Sequence, residues 1–328
     1  MKYIWKDVYL AGVMGLLVPG LLLNVGVMAY EEAEQNQIVT EAMVIEKDQP
    51  VLMTEAVLPS GVPVRFVTNG KVREMDLEEY LVGVVLAEMP ASFEEEALKA
   101  QAVVARTYTV RAKEGKSKHA DGDICGDSTC CQGYLAPADY GGTEEALAKV
   151  AGAVASTAGQ VLTYQGSLVE ATYFSCSGGS TEDAVAVWGT EVPYLQSVAS
   201  PGEENATYYT DSVSFTPQEF ASRLGVSPTG NPASWLGNVT HTSGGGVDTM
   251  VIDGLTFKGT ELRKLLGLRS TAFTVTATAE RITVNTRGYG HRVGMSQYGA
   301  DAMAALGSTY GEILSHYYQG TELKHWFD

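Results

Sequence analysis

A carboxyl group at the end of a helix pattern is the first side chain in this sequence that could do chemistry. From Leu77 onward apolar residues recur at helical spacing, and the next position of that stripe is Glu88. Asp76 precedes the pattern as an N-cap and Pro90 follows it, so Glu88 falls in the last turn, toward the core. Desolvation there raises a carboxyl pKa. A glutamate with a raised pKa can act as a general acid near neutral pH, which makes Glu88 the candidate catalytic residue.

A structural role for the same glutamate competes with this hypothesis. A second helix pattern follows the break at Met89-Pro90, and it carries Arg106. Glutamates at the edge of a core pair with a basic side chain more often than they act in catalysis. Structural ion pairs also perturb pKa values, so a perturbed pKa alone does not identify a catalytic residue. Arg106 and Lys99 also fit a solvated basic edge. The residue pattern alone leaves these interpretations open.

One short loop holds the residue types of a zinc site. Cys125, Cys130 and Cys131 follow His119 by six, eleven and twelve residues. One histidine and three cysteines can bind zinc tetrahedrally. The loop lies about 30 residues from Glu88 in the sequence, so we predict a structural zinc that pins the loop after the second helix pattern. Catalysis through Glu88 needs no cofactor.

Two other chemistries compete for this loop. A disulfide from Cys125 to either of the two adjacent cysteines is reasonable outside the cell, but it leaves one thiol over and gives His119 no role. A calcium site is the weaker alternative, because the glycine and the final glutamate of an EF-hand loop are missing around Asp121, Asp123 and Asp127.

Charge and hydropathy limit the partners and the location. The 328 residues have a formal net charge of -17, which argues against nucleic-acid binding. Residues 8–30 are uncharged and mostly apolar, long enough for one membrane-spanning helix. Lys2 and Lys6 precede this run and glutamates follow it. We therefore predict a single-pass cell-membrane protein with residues 1–7 in the cytoplasm and the rest outside. A cleaved signal peptide is the alternative.

The rest of the chain has a mixed pattern. Residues 31–60 are acidic and polar and are predicted to form a stalk, and residues 61–328 form the functional region. A smaller inserted subdomain is predicted near 200–270, where Gly, Pro, Ser and Thr are frequent. Helix and strand patterns alternate without a regular βαβ repeat, which predicts an α+β fold of mixed helices and strands around a cleft.

Three segments in order resemble the signatures of the SpoIID family, the stage II sporulation protein D group. They are YLVGVVLAEMPASFEEEALKAQAVVARTY at 80–108, YFSCSGGSTED at 173–183 and GYGHRVGMSQYGADAMAALGSTYGEILSHYYQGTEL at 288–323. The resemblance covers about residues 60–325, and it implies a lytic transglycosylase that cuts peptidoglycan glycan strands during engulfment in sporulation. The chain departs from the family at Arg292, where the family usually has a glycine after the histidine.

The resemblance also implies a substrate, partners and a rival function. The bond cut is the β-1,4 bond between MurNAc and GlcNAc, in strands already stripped of stem peptides by an amidase. The muramic 6-hydroxyl attacks and gives a 1,6-anhydro product, so a single carboxylic acid is sufficient. The expected partners are the amidase SpoIIP and the membrane protein SpoIIM. A non-catalytic glycan-binding protein or amidase enhancer is the alternative.

The family match carries a set of substrate-binding candidates onto this chain. Tyr173 is expected to stack on a sugar ring, and the glycine turn after it is expected to bring backbone amides close to the ligand. The full set of glycan-binding candidates is Arg106, Tyr173, Ser177, Gly178, Gly179, His291, Ser296 and Gln297. A serine hydrolase using Ser177 or Ser296 with His291 is disfavoured, because the chain lacks a nucleophile-elbow pattern there.

Overall fold

The part of the chain that the structure describes, residues 59–326, begins with a β-hairpin. The structure is a computed structural model in which β1 (Pro63–Thr68) and β2 (Lys71–Asp76) pair antiparallel. Asn69 and Gly70 join the strands with φ values of 49° and 70°, which asparagine and glycine adopt readily. The predicted Asn-Gly turn is confirmed, and it leads directly into the first helix.

Helices supply most of the larger hydrophobic core. Those assigned within residues 59–326 are α1 (Leu77–Glu88), α2 (Glu95–Arg111), α3 (Glu144–Ser156), α4 (Ala184–Trp188), α5 (Pro217–Leu224), α6 (Gly259–Leu266), α7 (Gln297–Ala305) and α8 (Tyr310–Tyr317). A π-helical turn, Ala112–Lys116, continues α2, and 3-10 turns cover Pro137–Asp139 and Pro232–Trp235.

The helix α2 is the centre of that core. It packs against α1, α3, α7, α8 and the strand that follows α3. Four alanines, Ala97, Ala100, Ala102 and Ala105, are fully buried along it. Small side chains at these positions let the neighbouring elements approach the helix closely on all sides. The two ends of α2 thereby fix the positions of the elements that form the site.

The strands form several small sheets. The remaining strands are β3 (Ile124–Cys125), β4 (Gln160–Tyr164), β5 (Ser167–Leu168), β6 (Tyr173–Phe174), β7 (Gly179–Ser180), β8 (Ala199–Ser200), β9 (Thr210–Phe215), β10 (Leu236–His241), β11 (Val247–Ile252), β12 (Leu255–Lys258), β13 (Ala272–Ala277), β14 (Ile282–Arg287), β15 (Met295–Ser296) and β16 (Glu322–His325). The sheet orders among the described residues are β2-β1-β3, β16-β4-β5, β13-β14-β9, β10-β11-β12, β15-β6 and β7-β8.

Two hydrophobic cores lie within these elements. The larger one is built on α1, α2, α3 and α8. The smaller one contains buried residues between Phe215 and Val284, from β9, α5, β11, α6, β13 and β14. The described residues belong to one compact unit, so a separate inserted subdomain near 200–270 stays a prediction.

The fold is therefore α+β, as predicted, with helices and small sheets in one chain. No helix within residues 59–326 has the length and apolar character needed to cross a membrane. The predicted cytoplasmic segment 1–7, the anchor at 8–30 and nearly all of the stalk at 31–60 lie outside the described residues.

Candidate functional site

A cleft of about 640 Å³ runs past the C-terminal end of α1. The ends of α1 and α2, the cysteine loop, the segment 170–175, the loop 289–291 and the start of α7 form its walls. The predicted site residues that line it are Glu88, Tyr173, His291, Gln297, Cys130 and Cys131. The predicted glycan-binding residues outside its lining are Arg106, Ser177, Gly178, Gly179 and Ser296.

Glu88 is the last residue of α1, and its side chain is half-buried in the cleft wall. The backbone N–H of Gly133 donates to its Oε1 atom at 2.5 Å. The polar ends of the Tyr173 and Gln297 side chains lie beside the same carboxyl group and favour its charged form. A Cβ atom on Gly133 would lie 3.1 Å from Oε1, closer than side chains normally pack, so a glycine suits this approach. The helix end, the cysteine loop and two later motifs therefore meet at one carboxyl group.

The surroundings raise the pKa of Glu88 above its ordinary value. Burial is the main cause, because it disfavours the charged carboxylate. The hydrogen bond from Gly133 and the nearby polar groups of Tyr173 and Gln297 act in the opposite direction and offset only part of this effect. The carboxyl group can thus hold a proton at higher pH than a solvated glutamate and release it to an acceptor in the cleft.

We expect Glu88→Gln to raise the melting temperature at about pH 8 more than at about pH 5. A carboxyl group whose folded-state pKa is raised loses stability as the pH rises through that pKa, whereas the amide stays neutral. Thermal unfolding across this range measures the difference. Glu79→Gln changes an exposed glutamate of the same helix and serves as the control. Equal melting-temperature shifts at both pH values would contradict a raised pKa.

Two short parallel strands bring the middle and C-terminal motifs together. Met295 and Ser296 of β15 pair with Tyr173 and Phe174 of β6. The residue after β15 is Gln297, which begins α7 and is almost fully buried. Its Nε2 atom makes no hydrogen bond of normal geometry with the described residues. Since buried polar atoms are rarely left unpartnered, this amide is available to a ligand in the cleft.

Tyr173 lies beside Glu88 rather than forming an open platform. Its hydroxyl donates to Oε1 of Gln132 at 3.2 Å and also interacts with the Glu88 carboxyl. Burial and the charge of Glu88 raise the pKa of Tyr173 well above its ordinary value. The tyrosine therefore stays protonated as a hydrogen-bond donor. Its ring is partly buried against the larger core and lines the cleft, and the expected stacking on a sugar ring stays a prediction.

His291 lines the cleft as a neutral imidazole. Burial lowers its pKa to about 4, and the charge of Arg263 acts in the same direction. Its Nδ1 atom accepts a hydrogen bond from the N–H of Val293 at 3.1 Å. Aromatic rings flank it, with centroids 5.6 Å away for Phe174 and 5.9 Å away for Trp188. His291 is held in place on the cleft wall without adding a charge, and its expected contact with glycan stays a prediction.

Arg106 is not part of the cleft. It is fully buried, and its Nε and Nη2 atoms donate to the two carboxyl oxygens of Glu78 at 2.8 Å and 2.7 Å. Its other donors reach Thr157 and the backbone carbonyls of Val154 and Gln160. All of its donors thus serve the protein interior. The expectation that Arg106 orients Glu88 or binds glycan is corrected to a structural role.

The glycine turn of the middle motif binds a carboxylate of its own chain. Ser177 is fully buried, and its N–H and hydroxyl donate to Glu203 at 2.5 Å and 2.9 Å. The N–H of Gly178 donates to the same carboxylate, and the N–H of Gly179 donates to the Ser177 hydroxyl. A Cβ atom on Gly178 would meet the backbone of Arg287 at 2.8 Å. Packing and Glu203 therefore explain this turn, and its expected glycan contacts are corrected.

Ser296 is the N-cap of α7. Its hydroxyl accepts the N–H of Gly299, and the side chain is fully buried. It is therefore a positioning residue for the start of α7 and does not face the cleft. With Ser177 held by Glu203 and Ser296 used as a cap, neither serine has the exposed hydroxyl that a nucleophile requires.

The four residues predicted to bind zinc do come together. Their ligand atoms, from His119, Cys125, Cys130 and Cys131, all lie within 4.8 Å of one another. The sulfur atoms of Cys130 and Cys131 are 3.8 Å apart, and His119 Nε2 lies 3.3 Å from Cys131 Sγ. Tetrahedral zinc with bonds of about 2.3 Å to sulfur holds two sulfurs about 3.8 Å apart. The donor set and its spacing fit a metal ion of this kind.

The competing chemistries for the loop fit less well. All four cysteines, including the buried Cys176, are free thiols. Calcium would need the oxygens of Asp123, but its carboxylate is buried and accepts hydrogen bonds from the backbone and guanidinium of Arg65. A soft thiolate set also suits zinc better than calcium.

The cysteine loop reaches the cleft although it is distant from Glu88 in sequence. Directly after Cys131 come Gln132, which bonds Tyr173, and Gly133, which bonds Glu88. The loop then lies against α1, where the N–H of Leu135 donates to the carbonyl of Gly83 at 3.0 Å. An ion in this cluster would consequently hold the segment that hydrogen-bonds the candidate acid.

Sequence reasoning missed several residues that matter here. Helices α1 and α2 are joined by a short turn, so the end of α2 is expected beside the start of α1. That rule could have paired Arg106 with Glu78 instead of Glu88. No sequence signal indicated that Glu203 would fill the glycine turn. Trp188, 40% exposed on the cleft wall, was also not identified.

Comparisons with known proteins find relatives of one family over most of the chain. A family model described as SpoIID, Stage II sporulation protein, matches residues 67–164. The chain is 42% identical over 321 residues to stage II sporulation protein D of Bacillus subtilis (strain 168), covering 94% of this chain and 92% of the relative. It is 41% identical over 273 residues to the protein of the same name from Bacillus amyloliquefaciens, covering 81% and 79%. An amidase enhancer of Bacillus subtilis (strain 168) is 32% identical over 302 residues, 74% of this chain and 40% of that protein.

Proposed function

The chain belongs to the stage II sporulation protein D family, and on that premise we propose that it is a lytic transglycosylase of peptidoglycan glycan strands with Glu88 as its acid. One observation carries the proposal. A single carboxyl group with a raised pKa lies in a cleft wall, surrounded by hydrogen-bond donors and beside an unpartnered amide. This arrangement suits protonation of a leaving oxygen more than it suits a structural ion pair.

In the first step Glu88 donates its proton to the glycosidic oxygen between MurNAc and GlcNAc. The bond from that oxygen to the anomeric carbon breaks, and GlcNAc leaves with a free 4-hydroxyl. The carboxylate that forms is stabilised by the N–H of Gly133, and the hydroxyl of Tyr173 lies beside it. The Gly133 donor is already in place, so little reorganisation is needed when the negative charge develops.

In the second step the muramic 6-hydroxyl attacks the anomeric carbon. Its proton passes to the Glu88 carboxylate, which restores the acid and yields a 1,6-anhydro end. No water is consumed, so one carboxyl group serves both steps. A second carboxylate on the cleft wall, Glu170, is paired with Arg111 at 3.2 Å, and the mechanism does not use it.

Other cleft residues are proposed to hold the sugar. Gln297 offers an unpartnered amide for a hydroxyl or acetamido group, and the neutral ring of His291 lines the same wall. Trp188 presents an exposed ring beside His291 on which a sugar face can stack. Donors with fixed positions and one aromatic ring are features that carbohydrate sites share with other small-molecule sites.

We propose that His119, Cys125, Cys130 and Cys131 bind a structural zinc that supports the acid. Bound zinc would cross-link the loop that carries Gly133, and so fix the N–H donor of Glu88. The ion takes no part in proton transfer.

We expect Cys130→Ser to remove most of the roughly one zinc per chain and to lower cleavage about tenfold. Metal analysis of the purified full chain and a cleavage assay measure the two effects. Cys176→Ser alters a buried thiol outside the cluster and serves as the matched control. Equal zinc content in the two variants would contradict the assignment of the ligands.

The proposal extends to location and partners. We propose that residues 8–30 anchor the protein in the cell membrane, supported by the uncharged run with lysines before it and glutamates after it. We further propose that the protein acts in engulfment with SpoIIP, which supplies stripped strands, and with SpoIIM in the membrane. Family membership supports both partners.

The second candidate function is enhancement of an amidase without glycan cleavage. It is favoured by the similarity to a relative that is named amidase enhancer. Both candidates need strand binding, but only one breaks the glycan chain.

The two candidates separate in one assay. The full chain in mild detergent is incubated with stripped strands, alone and with an amidase acting on intact wall. Release of shorter strands without the amidase supports the transglycosylase. Binding and faster peptide release, with strands of unchanged length, would reject the transglycosylase in favour of the enhancer.

A further inference from the structure

The cleft wall is cationic at one end although the protein is acidic. Arg111, Lys116 and Lys118 line the cavity that contains Glu88, in a chain whose formal net charge is -17. The carboxyl groups that line the same cavity are Glu170 and Glu88 itself. Glu88 holds its proton more readily than an ordinary glutamate, so the lining carries an excess of positive charge.

Local structure brings these three side chains to the cavity. Arg111 ends α2, and the π-helical turn after it contains Gly115 with a φ of 98°, a left-handed conformation that suits glycine. The turn leads the chain to Lys116, and Lys118 follows two residues later at the start of the cysteine loop. Three basic residues within eight positions therefore face one cavity.

The lysines are available to an anion. Lys116 is exposed, and it forms no ion pair or hydrogen bond with the residues in the described range. Lys118 is exposed and donates to the carbonyl of Cys130, a neutral partner. Its Nζ atom also lies 5.8 Å from the ring centroid of Tyr108. Of the three cations only Arg111 has a carboxylate partner, Glu170.

The proposed substrate offers a matching anion, and this step rests on the proposed function. Muramic acid carries a lactyl ether whose carboxyl group is amide-linked to the stem peptide in intact wall. Removal of the peptide leaves one free carboxylate per disaccharide. Lysine and arginine bind carboxylates through charge-assisted hydrogen bonds. An amide-linked lactyl group carries no such charge, and it extends into a peptide that the same wall would have to accommodate.

We propose that Arg111, Lys116 and Lys118 form a carboxylate subsite that binds the lactyl group of stripped muramic acid. This subsite gives the cleft its preference for strands without stem peptides. It acts in binding, and it takes no part in the bond-breaking step at Glu88.

Binding to the full-length Glu88→Gln protein tests the subsite without cleavage. The probes are soluble stripped strands and the same strands with their carboxylates converted to methyl amides. The Glu88→Gln protein with its lysines intact should bind the stripped strands about tenfold more tightly than the amide strands. This preference should shrink as the salt concentration is raised. The double variant Lys116→Gln/Lys118→Gln should lose this preference and keep its affinity for the amide strands. The control Lys71→Gln/Lys113→Gln removes the same charge at residues outside the cleft lining, and this variant should keep the preference for stripped strands.

Other outcomes overturn the assignment or separate it from the proposed function. Equal affinity of the protein with intact lysines for the stripped and the amide strands would reject the carboxylate subsite, even if the active protein cleaves both. Equal loss for both strands in the lysine variant means general damage, which its zinc content and melting temperature would reveal. The single variant Lys116→Gln, which breaks no internal bond, then decides. Tighter binding of a glycerol-phosphate polymer than of stripped strands through the same lysines reassigns the subsite to phosphate. Carboxylate-dependent binding by a wild-type protein that never cuts strands retains the subsite and rejects the transglycosylase.

Discussion

Replacing Glu88 with glutamine is expected to lower the rate of strand cleavage about a thousandfold, with little change in strand binding. The amide has nearly the shape of the acid, but it has no proton to donate, and a general acid contributes roughly 10² to 10⁴ in rate. Glutamine retains an oxygen that can accept the N–H of Gly133, so the cleft should keep its form. Release of soluble fragments from stripped strands measures the rate, and co-sedimentation measures binding.

Two matched variants sharpen this expectation. Glu79→Gln removes an exposed carboxyl group from the same helix and should leave the rate unchanged. Glu170→Gln removes the other carboxylate that lines the cleft, and it should cost far less than Glu88→Gln. A Glu88→Gln protein with most of the wild-type rate, or a Glu170→Gln protein without activity, would show that the acid has been assigned to the wrong residue.

The largest loss of stability is expected from breaking the buried pair of Arg106 and Glu78. Both side chains are almost completely buried, and two hydrogen bonds of 2.7–2.8 Å join them. Arg106→Met leaves the Glu78 carboxylate uncompensated in the interior, which costs about 3–5 kcal/mol in comparable pairs. Urea unfolding of the variant measures the change in the free energy of unfolding.

Two further substitutions separate this pair from an ordinary surface contact. The double variant Glu78→Met/Arg106→Met should recover part of the loss, because no charge is left without a partner. Recovery should be incomplete, since Arg106 also bonds the carbonyls of Val154 and Gln160. Lys324→Met breaks the exposed pair with Glu322 and should cost less than about 1 kcal/mol. A stable Arg106→Met protein that fails only to bind strands would return Arg106 to the glycan site.

Glu88 and the pair of Arg106 and Glu78 show how far sequence reasoning reached. The helical period placed Glu88 at the core side of the last turn, and the structure agrees, because that inference needs only local geometry. The pattern could not select a partner for Arg106, since α1 contains three glutamates, Glu78, Glu79 and Glu88. The direction of the chain decides among them: in a helical hairpin the end of α2 meets the start of α1. Glu78 thus lies opposite Arg106.

The motifs also differ in whether neighbours in the sequence or contacts made by the fold determine their role. His119 and the three loop cysteines are neighbours in sequence, so their clustering was predictable from spacing. The fold alone determines that the next residues reach Glu88. The glycine turn at Ser177 resembled a ligand loop, but Glu203 occupies it through contacts across 25–26 residues. A motif's residue types indicate what it can bind, and only the packed structure shows whether its own chain already does so.

The most direct test of the central claim is a digest of stripped strands in water labelled with heavy oxygen, read by mass spectrometry. Intramolecular attack by the 6-hydroxyl predicts anhydro-muramic ends that contain no label, formed by the wild type and not by Glu88→Gln. Reducing ends that carry the label would instead show that water attacks, as in a hydrolase with Glu170 as its second carboxylate, and would contradict the single-acid account.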